Sequence, residues 1–339
     1  MNRVPKAFLY SVSLDDARIP KWMRGAYELL IESSRLDPFG IHSLASSPED
    51  ADVIVFLELG CHGLFAERVR RHPLVKKFRR KCFLFDTGDT ALPFLPGLYA
   101  SLREKYNDPA RTRTGYYLRI DENPFVGFRP PEEHYHYLAT FIGSFKNDPV
   151  RAKLTELPQT RFLIEDTSSF SLKMLYGGEE QERRRFWSHY ADAMASAPFA
   201  LCPRGRGPGS VRLFEVMQMG RVPVILSDEW VYPPRVDWPA CSITVAEKDV
   251  QQIPEILDRH LDRAMEMGIK AREQWEKYFA PPVRFHWLIE DCLALLHARR
   301  TPETIAGKLV WRHLLNLDTL RLFLISKRQI YRDTGEILL

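Results

Sequence analysis

Short, wholly apolar runs alternate along this chain with stretches whose apolar residues recur every three to four positions. The runs at 7–12, 52–57 and 82–85 read as buried strands, the second being Asp-Val-Ile-Val-Phe-Leu and ending at Glu58. Between them, 22–31 has helical spacing with Trp22, Ala26, Leu29 and Leu30 on one side, and 64–78 is helical with Pro73 interrupting it. Strands separated by amphipathic helices predict βαβ units and a parallel sheet. Pro124, Gly127, Pro130 and Pro131 mark 122–133 as a connection. A second series follows, with strands at 137–142, 161–164, 199–202, 222–226 and 242–245 and helices at 182–197, 249–260, 264–278 and 283–298. Two such series predict two doubly wound, Rossmann-like α/β domains facing one another across a cleft. Their expected bounds are 1–130 and 137–298, followed by a helical tail over 299–339. The tail's apolar stripe predicts a helix docked on the body, with a membrane-surface helix edged by Lys327, Arg328 and Arg332 as the alternative.

Composition adds limits. A chain of 339 residues with 45% hydrophobic and 27% charged residues can bury two cores without disulfides or a metal staple. A net charge of +4 is too slight to imply nucleic acid, though it suits an anionic substrate or a peripheral membrane contact. The five cysteines, Cys61, Cys82, Cys202, Cys241 and Cys292, are scattered and show no C-x-x-C pair. That pattern speaks against a zinc ribbon or a disulfide framework and for a reducing compartment. The first residues carry no long apolar stretch, so the expected location is cytoplasmic, at most peripheral to the inner face of a membrane.

The chemistry concentrates in 198–234, PFALCPRGRGPGSVRLFEVMQMGRVPVILSDEWVYPP. It reads as a strand, a loop with Gly205, Gly207 and Gly209, a helix from 211 with Ser210 as N-cap candidate and Gly220 as its stop, and a further strand. A glycine-rich turn opening a helix at a strand's carboxyl end is an anion site, because free N–H groups and the helix dipole both favour negative charge. The dipole supplies only about 0.3–1 kcal/mol when exposed, so cations must add to it. Arg204, Arg206 and Arg212 lie on or beside the turn, and forked guanidinium donors suit phosphate. Glu215, one turn into the helix, fits a ribose diol, or else a surface carboxylate paired with Arg212. The loop is not a G-x-x-x-x-G-K-[ST] phosphate loop, and Ser210 stands where G-x-G-x-x-G needs its third glycine. A dinucleotide enzyme therefore survives only as a rival reading, with Asp228 after the next strand as its ribose acid.

The run CPRGRGPGSVRLFEVMQMGRVPVILSDEW resembles the signature of the exostosin-like glycosyltransferases, family 47. Phe141-Ile142-Gly143-Ser144 with Pro149-Val150-Arg151 is similar to that family's opening of the second domain. The likeness covers 137–292; the first 130 residues match in architecture alone. It implies a GT-B fold, inverting transfer of a sugar from a nucleotide-sugar donor, usually a UDP-sugar, to a carbohydrate acceptor, with no essential metal and no further cofactor. Surface polysaccharide or glycan synthesis is the implied setting. Carried over by motif, Arg204, Gly209, Ser210 and Arg212 serve the diphosphate, Glu215 serves the ribose, and Gly143, Ser144 and Arg151 border the site. Asp228 either faces the donor sugar or braces its loop. A non-catalytic sugar- or nucleotide-binding subunit is the rival within the family.

Inverting transfer needs a base for the acceptor hydroxyl, expected at a strand's carboxyl end in the first domain. Asp89 is preferred, with Asp86 beside it raising its pKa by like-charge repulsion. Glu58 and His62 are the alternatives, and ordinary turn chemistry accounts equally for Asp-Thr-Gly-Asp.

Overall fold

The computed structural model describes residues 4–15, 24–58, 66–89, 92–118, 122–169 and 179–334. Trp22, Cys61 and His62, named above, lie outside them. The first elements are β1 (Lys6–Tyr10), α1 (Gly25–Leu36), β2 (Ser43–Leu44), β3 (Val53–Glu58), α2 (Glu67–Arg71), α3 (Pro73–Lys77), β4 (Cys82–Asp86), β5 (Gly97–Tyr99) and β6 (Thr112–Thr114). Next come β7 (Ala139–Gly143), α4 (Pro149–Lys153), β8 (Phe162–Asp166), α5 (Glu180–Ala195), β9 (Phe199–Pro203), α6 (Val211–Met219) and β10 (Val222–Leu226). The rest are α7 (Trp238–Cys241), β11 (Ile243–Thr244), α8 (Ile253–Asp258), α9 (Ala264–Tyr278), α10 (Arg284–Ala298), α11 (Glu303–Leu309) and α12 (Leu317–Thr334).

The first six strands form one sheet in the order β2-β1-β3-β4-β5-β6, parallel throughout. All six residues of β3 and all five of β4 are buried. That is why these strands read as unbroken apolar runs: a parallel sheet is covered on both faces. The sheet turns back on itself between β1 and β3, so its switch point is bordered by the ends of β1 and β3. β5 and β6, three residues each, carry no periodic signal in the sequence.

The second sheet runs β11-β10-β9-β7-β8, again parallel. Phe141, Phe162, Phe199, Leu201, Val222 and Val224 form the centre of its core. β7 and β9 pair only through Ala139–Phe199 and Thr140–Ala200, and no pairing continues towards their carboxyl ends. The order reverses between these two strands, and ligands of open α/β sheets bind outside the carboxyl ends at such a point. Two successive parallel α/β units are the fold class expected from the alternation.

The boundaries differ from expectation. By contacts, unit one comprises Met1–Ile120, Trp230–Pro234 and Ala280–Leu339, and unit two Asp121–Glu229 and Arg235–Phe279. α10 was assigned to the second domain and instead belongs to unit one. Its buried face, Phe285, Leu288, Ile289, Cys292 and Leu295, packs against α1, and Ser33 Oγ accepts from the Phe285 N–H at 2.8 Å. Trp230 joins the same unit, its Nε1–H donating to Ala100 O at 3.1 Å. An apolar helix face does not name its partner, so periodicity alone misplaced α10.

The tail docks, as the apolar stripe predicted, through one face of α12. Thr319 Oγ1 bonds Tyr106 Oη at 2.7 Å, Phe323 meets Trp311 edge-on, and Lys327 pairs with the buried Glu67. α11 is tied down by a buried ion pair between Glu303 and Arg111, whose Nε donates to Glu303 Oε2 at 3.2 Å. Among the described residues no helix is long and apolar enough to cross a membrane.

Candidate active site

β9 ends at Pro203 and the chain enters the glycine turn, where the Gly205 N–H donates to Gly207 O at 3.1 Å. α6 begins after Ser210, whose backbone is extended as an N-cap requires (φ −138°), but whose hydroxyl makes no cap bond. The expected capping role is thus positional only. Because Ser210 Oγ is not spent on the helix, the first-turn N–H groups of α6 keep their capacity for an anion. Gly220 closes the helix in the left-handed conformation, φ +81°.

The arginines divide into braces and one exposed cation. Arg212 is 9% exposed; its Nη2 donates to Ile142 O and its guanidinium lies 4.4 Å from the Phe141 ring centroid. Gly143 makes this possible, since a Cβ there would sit 2.8 Å from Arg212 Nη2. Arg151 donates to Arg204 O at 2.8 Å and to Ser144 O at 3.0 Å, stitching the end of β7 to the turn. Arg204 is ion-paired with Asp148 (3.3 Å), Glu229 (3.3 Å) and Glu247 (3.5 Å). Arg204 and Arg212, expected at the diphosphate, are thus bonded to protein acceptors, and Arg151 lies beside the turn. Their guanidinium donors hold the turn together, leaving Arg206 as the exposed arginine on it. The charge of Arg204 is offset by Asp148, Glu229 and Glu247, whereas Arg206 is exposed on the turn.

Glu215 makes no bond to Arg212. Its Oε2 accepts from Tyr190 Oη of α5 at 2.6 Å, while burial raises the Tyr190 phenol well above its usual range and keeps it a donor. One carboxylate oxygen is thereby oriented. Asp228 braces its loop: it accepts from the Glu247 N–H and donates its own N–H to Glu247 Oε1, each at 3.1 Å. Gly209 and Ser210 are buried in the turn, and Ser144 Oγ bonds Ser168 Oγ at 3.1 Å. Cys202, beneath the turn, is buried and its thiol is pushed up to about 12, so it is core rather than nucleophile. Tyr190 and the acids around Arg204 went unseen in the sequence. They come from four separate segments, and the only local signal was Asp148 before Pro149, an N-cap pattern whose side chain accepts from the Val150 N–H.

In unit one the carboxylates sort differently from expectation. Glu58 and Asp86 are register partners at the ends of β3 and β4. Glu58 is 2% exposed, and its carboxyl is raised from 4.5 to about 8, mainly by burial and further by Asp86. Val12 N–H, donating to Oε1 at 2.8 Å, pulls the other way. Asp86 thus raises the carboxyl of Glu58, its register partner. Asp86 Oδ1 accepts from the Gly88 N–H at 2.7 Å, which is ordinary turn chemistry. Asp89 is exposed, with Tyr117 Oη donating to it at 3.5 Å. The Asp-x-Asp run Asp50-Ala51-Asp52 precedes β3 at the sheet's amino end, and Asp52 accepts from the Lys6 N–H at 2.8 Å.

Comparison with known proteins adds the following. The family model described as Exostosin GT47 domain matches residues 128–260. The chain is 39% identical over 92 residues to the Exostosin-1 homolog of Caenorhabditis elegans, covering 26% of this chain and 24% of that protein. It is 42% identical over 88 residues to the "Probable glucuronoxylan glucuronosyltransferase IRX7" of Arabidopsis thaliana, covering 24% of this chain and 19% of that protein. The chain thus spans a quarter or less of the length of these relatives. Among solved structures it is similar to a glycosyltransferase from Rickettsia africae, at 8% identity and a TM-score of 0.41 over 87% of this chain and 99% of that one. It is also similar to Anabaena Alr3699/HepE, solved in complex with UDP, at 11% identity and a TM-score of 0.36 over 84% and 98%. The glycine turn, α6 and the switch point between β7 and β9 all fall inside the stretch that matches the Exostosin GT47 domain model.

Proposed function

We propose that the chain is an inverting glycosyltransferase that moves a sugar from a UDP-sugar to a carbohydrate hydroxyl. The observation that carries this reading is the position of the glycine turn and the amino end of α6, at the switch point of the second sheet. The donor's diphosphate meets the first-turn N–H groups and Arg206, and the Glu215 carboxylate takes the ribose diol. As the bond to the anomeric carbon breaks, negative charge grows on the departing diphosphate, where fixed donors stabilise it without reorganising. The braced arginines keep those donors in place. This charge is met by the protein, so no magnesium or manganese is required. The relatives' names add glucuronosyl transfer to the sugars to be tried first.

The test is a panel of nucleotide sugars with the purified chain, dialysed free of magnesium and manganese. One donor is expected to be hydrolysed slowly, releasing sugar with inverted anomeric configuration by NMR. Failure of every donor to bind, or a strict need for added magnesium or manganese, overturns the reading.

We further propose peripheral membrane contact through the outer face of α12. Leu317, Leu324, Ile325 and Tyr331 are exposed there alongside Arg321, Arg328 and Arg332. An apolar strip edged by arginines fits an anionic bilayer surface. Co-sedimentation with anionic but not neutral vesicles, lost in Leu324→Asp, is the expected result; equal recovery without vesicles refutes it.

A further inference from the structure

We propose that His42, His286 and Glu290 form a site for one divalent transition-metal ion of the zinc type, in unit one and separate from the glycine turn. His286 and Glu290 stand four apart on α10 and so share a face one turn apart, while His42 comes from the segment before β2. One nitrogen of each imidazole and one Glu290 oxygen lie within 4.8 Å of one another. His42 Nε2 is 2.9 Å from Glu290 Oε1, and the two imidazole centroids are 5.2 Å apart.

Ligands about 2.0–2.2 Å from a zinc ion stand roughly 3–3.5 Å from each other, so the set closes on an ion by contracting at most about 1.5 Å at its widest. Two imidazoles and one carboxylate are a zinc-type donor set, and with a divalent ion the cluster carries a single positive charge. The His42 side chain is 2% exposed, and its Nδ1 is buried without a hydrogen-bond partner. The Glu290 side chain, 36% exposed, leaves an entry path and room for water as a fourth ligand. The ring of His286 is held by stacking on Phe39 at 3.9 Å, so one ligand is already oriented. The ion would tie the segment between α1 and β2 to α10, replacing the proton that the His42–Glu290 pair shares.

The experiment uses the whole chain, stripped with a chelator and then titrated with zinc alone by calorimetry and with cobalt alone by visible absorption. One ion per chain is expected, with the d–d bands of a four-coordinate cobalt site and a rise in melting temperature on adding zinc. His42→Gln and His286→Asn should each weaken binding by at least the ~10–100-fold that losing an outer-shell partner costs. Glu290→Gln, which leaves both imidazoles and their packing intact, tests the site if either histidine variant fails to fold. The proposal is overturned if the stripped wild type takes up no metal from excess zinc, or if Glu290→Gln and the histidine variants bind like wild type.

Discussion

Replacing Glu58 by glutamine should change the stability of this protein in a pH-dependent way whose sign and size follow from its surroundings. The carboxyl is buried and titrates at about 8 in the folded chain, against 4.5 for an ordinary glutamate. Between those values the native state holds a proton that the unfolded chain has released, so wild-type stability falls as pH rises through the window and is fully reduced above about 8. At about 1.4 kcal/mol per pKa unit the accumulated loss is on the order of 3–5 kcal/mol. Glutamine carries no charge at any pH and keeps an oxygen for the Val12 N–H that Glu58 now accepts. Glu58→Gln should therefore lie within about 1 kcal/mol of wild type near pH 5, the size of one net hydrogen bond. By pH 9 it should be the more stable protein by most of that 3–5 kcal/mol. Urea unfolding of both proteins across this range measures the difference, and contributions from other titrating groups cancel in it. A difference that stays flat with pH would refute the reasoning, because Glu58 would then titrate alike in both states. The same shift places proton exchange at Glu58 near pH 8, at the switch point of the first sheet.

Three further outcomes are expected. Tyr190→Phe deletes one hydrogen bond to the Glu215 carboxylate without changing volume; charged bonds are worth about 1.5–3 kcal/mol, so UDP affinity should drop by about an order of magnitude while pyrophosphate affinity, read by calorimetry, holds. Arg206→Ala should weaken UDP binding more than uridine binding, whereas Arg204→Ala, which frees Asp148, Glu229 and Glu247 from their counter-ion, should lower the melting temperature as well; equal effects of Arg206→Ala on both ligands would exclude a phosphate role. Asp89→Asn should cut turnover about 10²–10⁴-fold with donor affinity unchanged if Asp89 takes the acceptor's proton; near-normal turnover would move that role to Glu58, to be tested with Glu58→Gln.

The residues of 198–226 were legible as strand, turn and helix because each signal there is local. An apolar run, three glycines and a small polar residue before a helical stripe all act within a few positions, and the structure returns β9, the turn and α6 at those places. The parallel sheets were legible for a similar reason, since a strand covered on both faces must be apolar throughout. Tertiary structure decided what these residues touch. Charge type named Arg204 and Arg212 as anion ligands, and the resemblance set Arg151 at the site's border, yet a guanidinium bonds whatever acceptors the fold brings to it. Here those are Ile142 O, Ser144 O and three carboxylates drawn from 148, 229 and 247. The partner of Glu215 likewise sits 25 residues away on α5. Asp86 was set beside Asp89 by sequence, whereas the register of β3 and β4 sets it against Glu58. Local propensity writes an element into its own residues; partners, burial and the pKa values they set arise only where distant segments meet, and those the order of residues does not display.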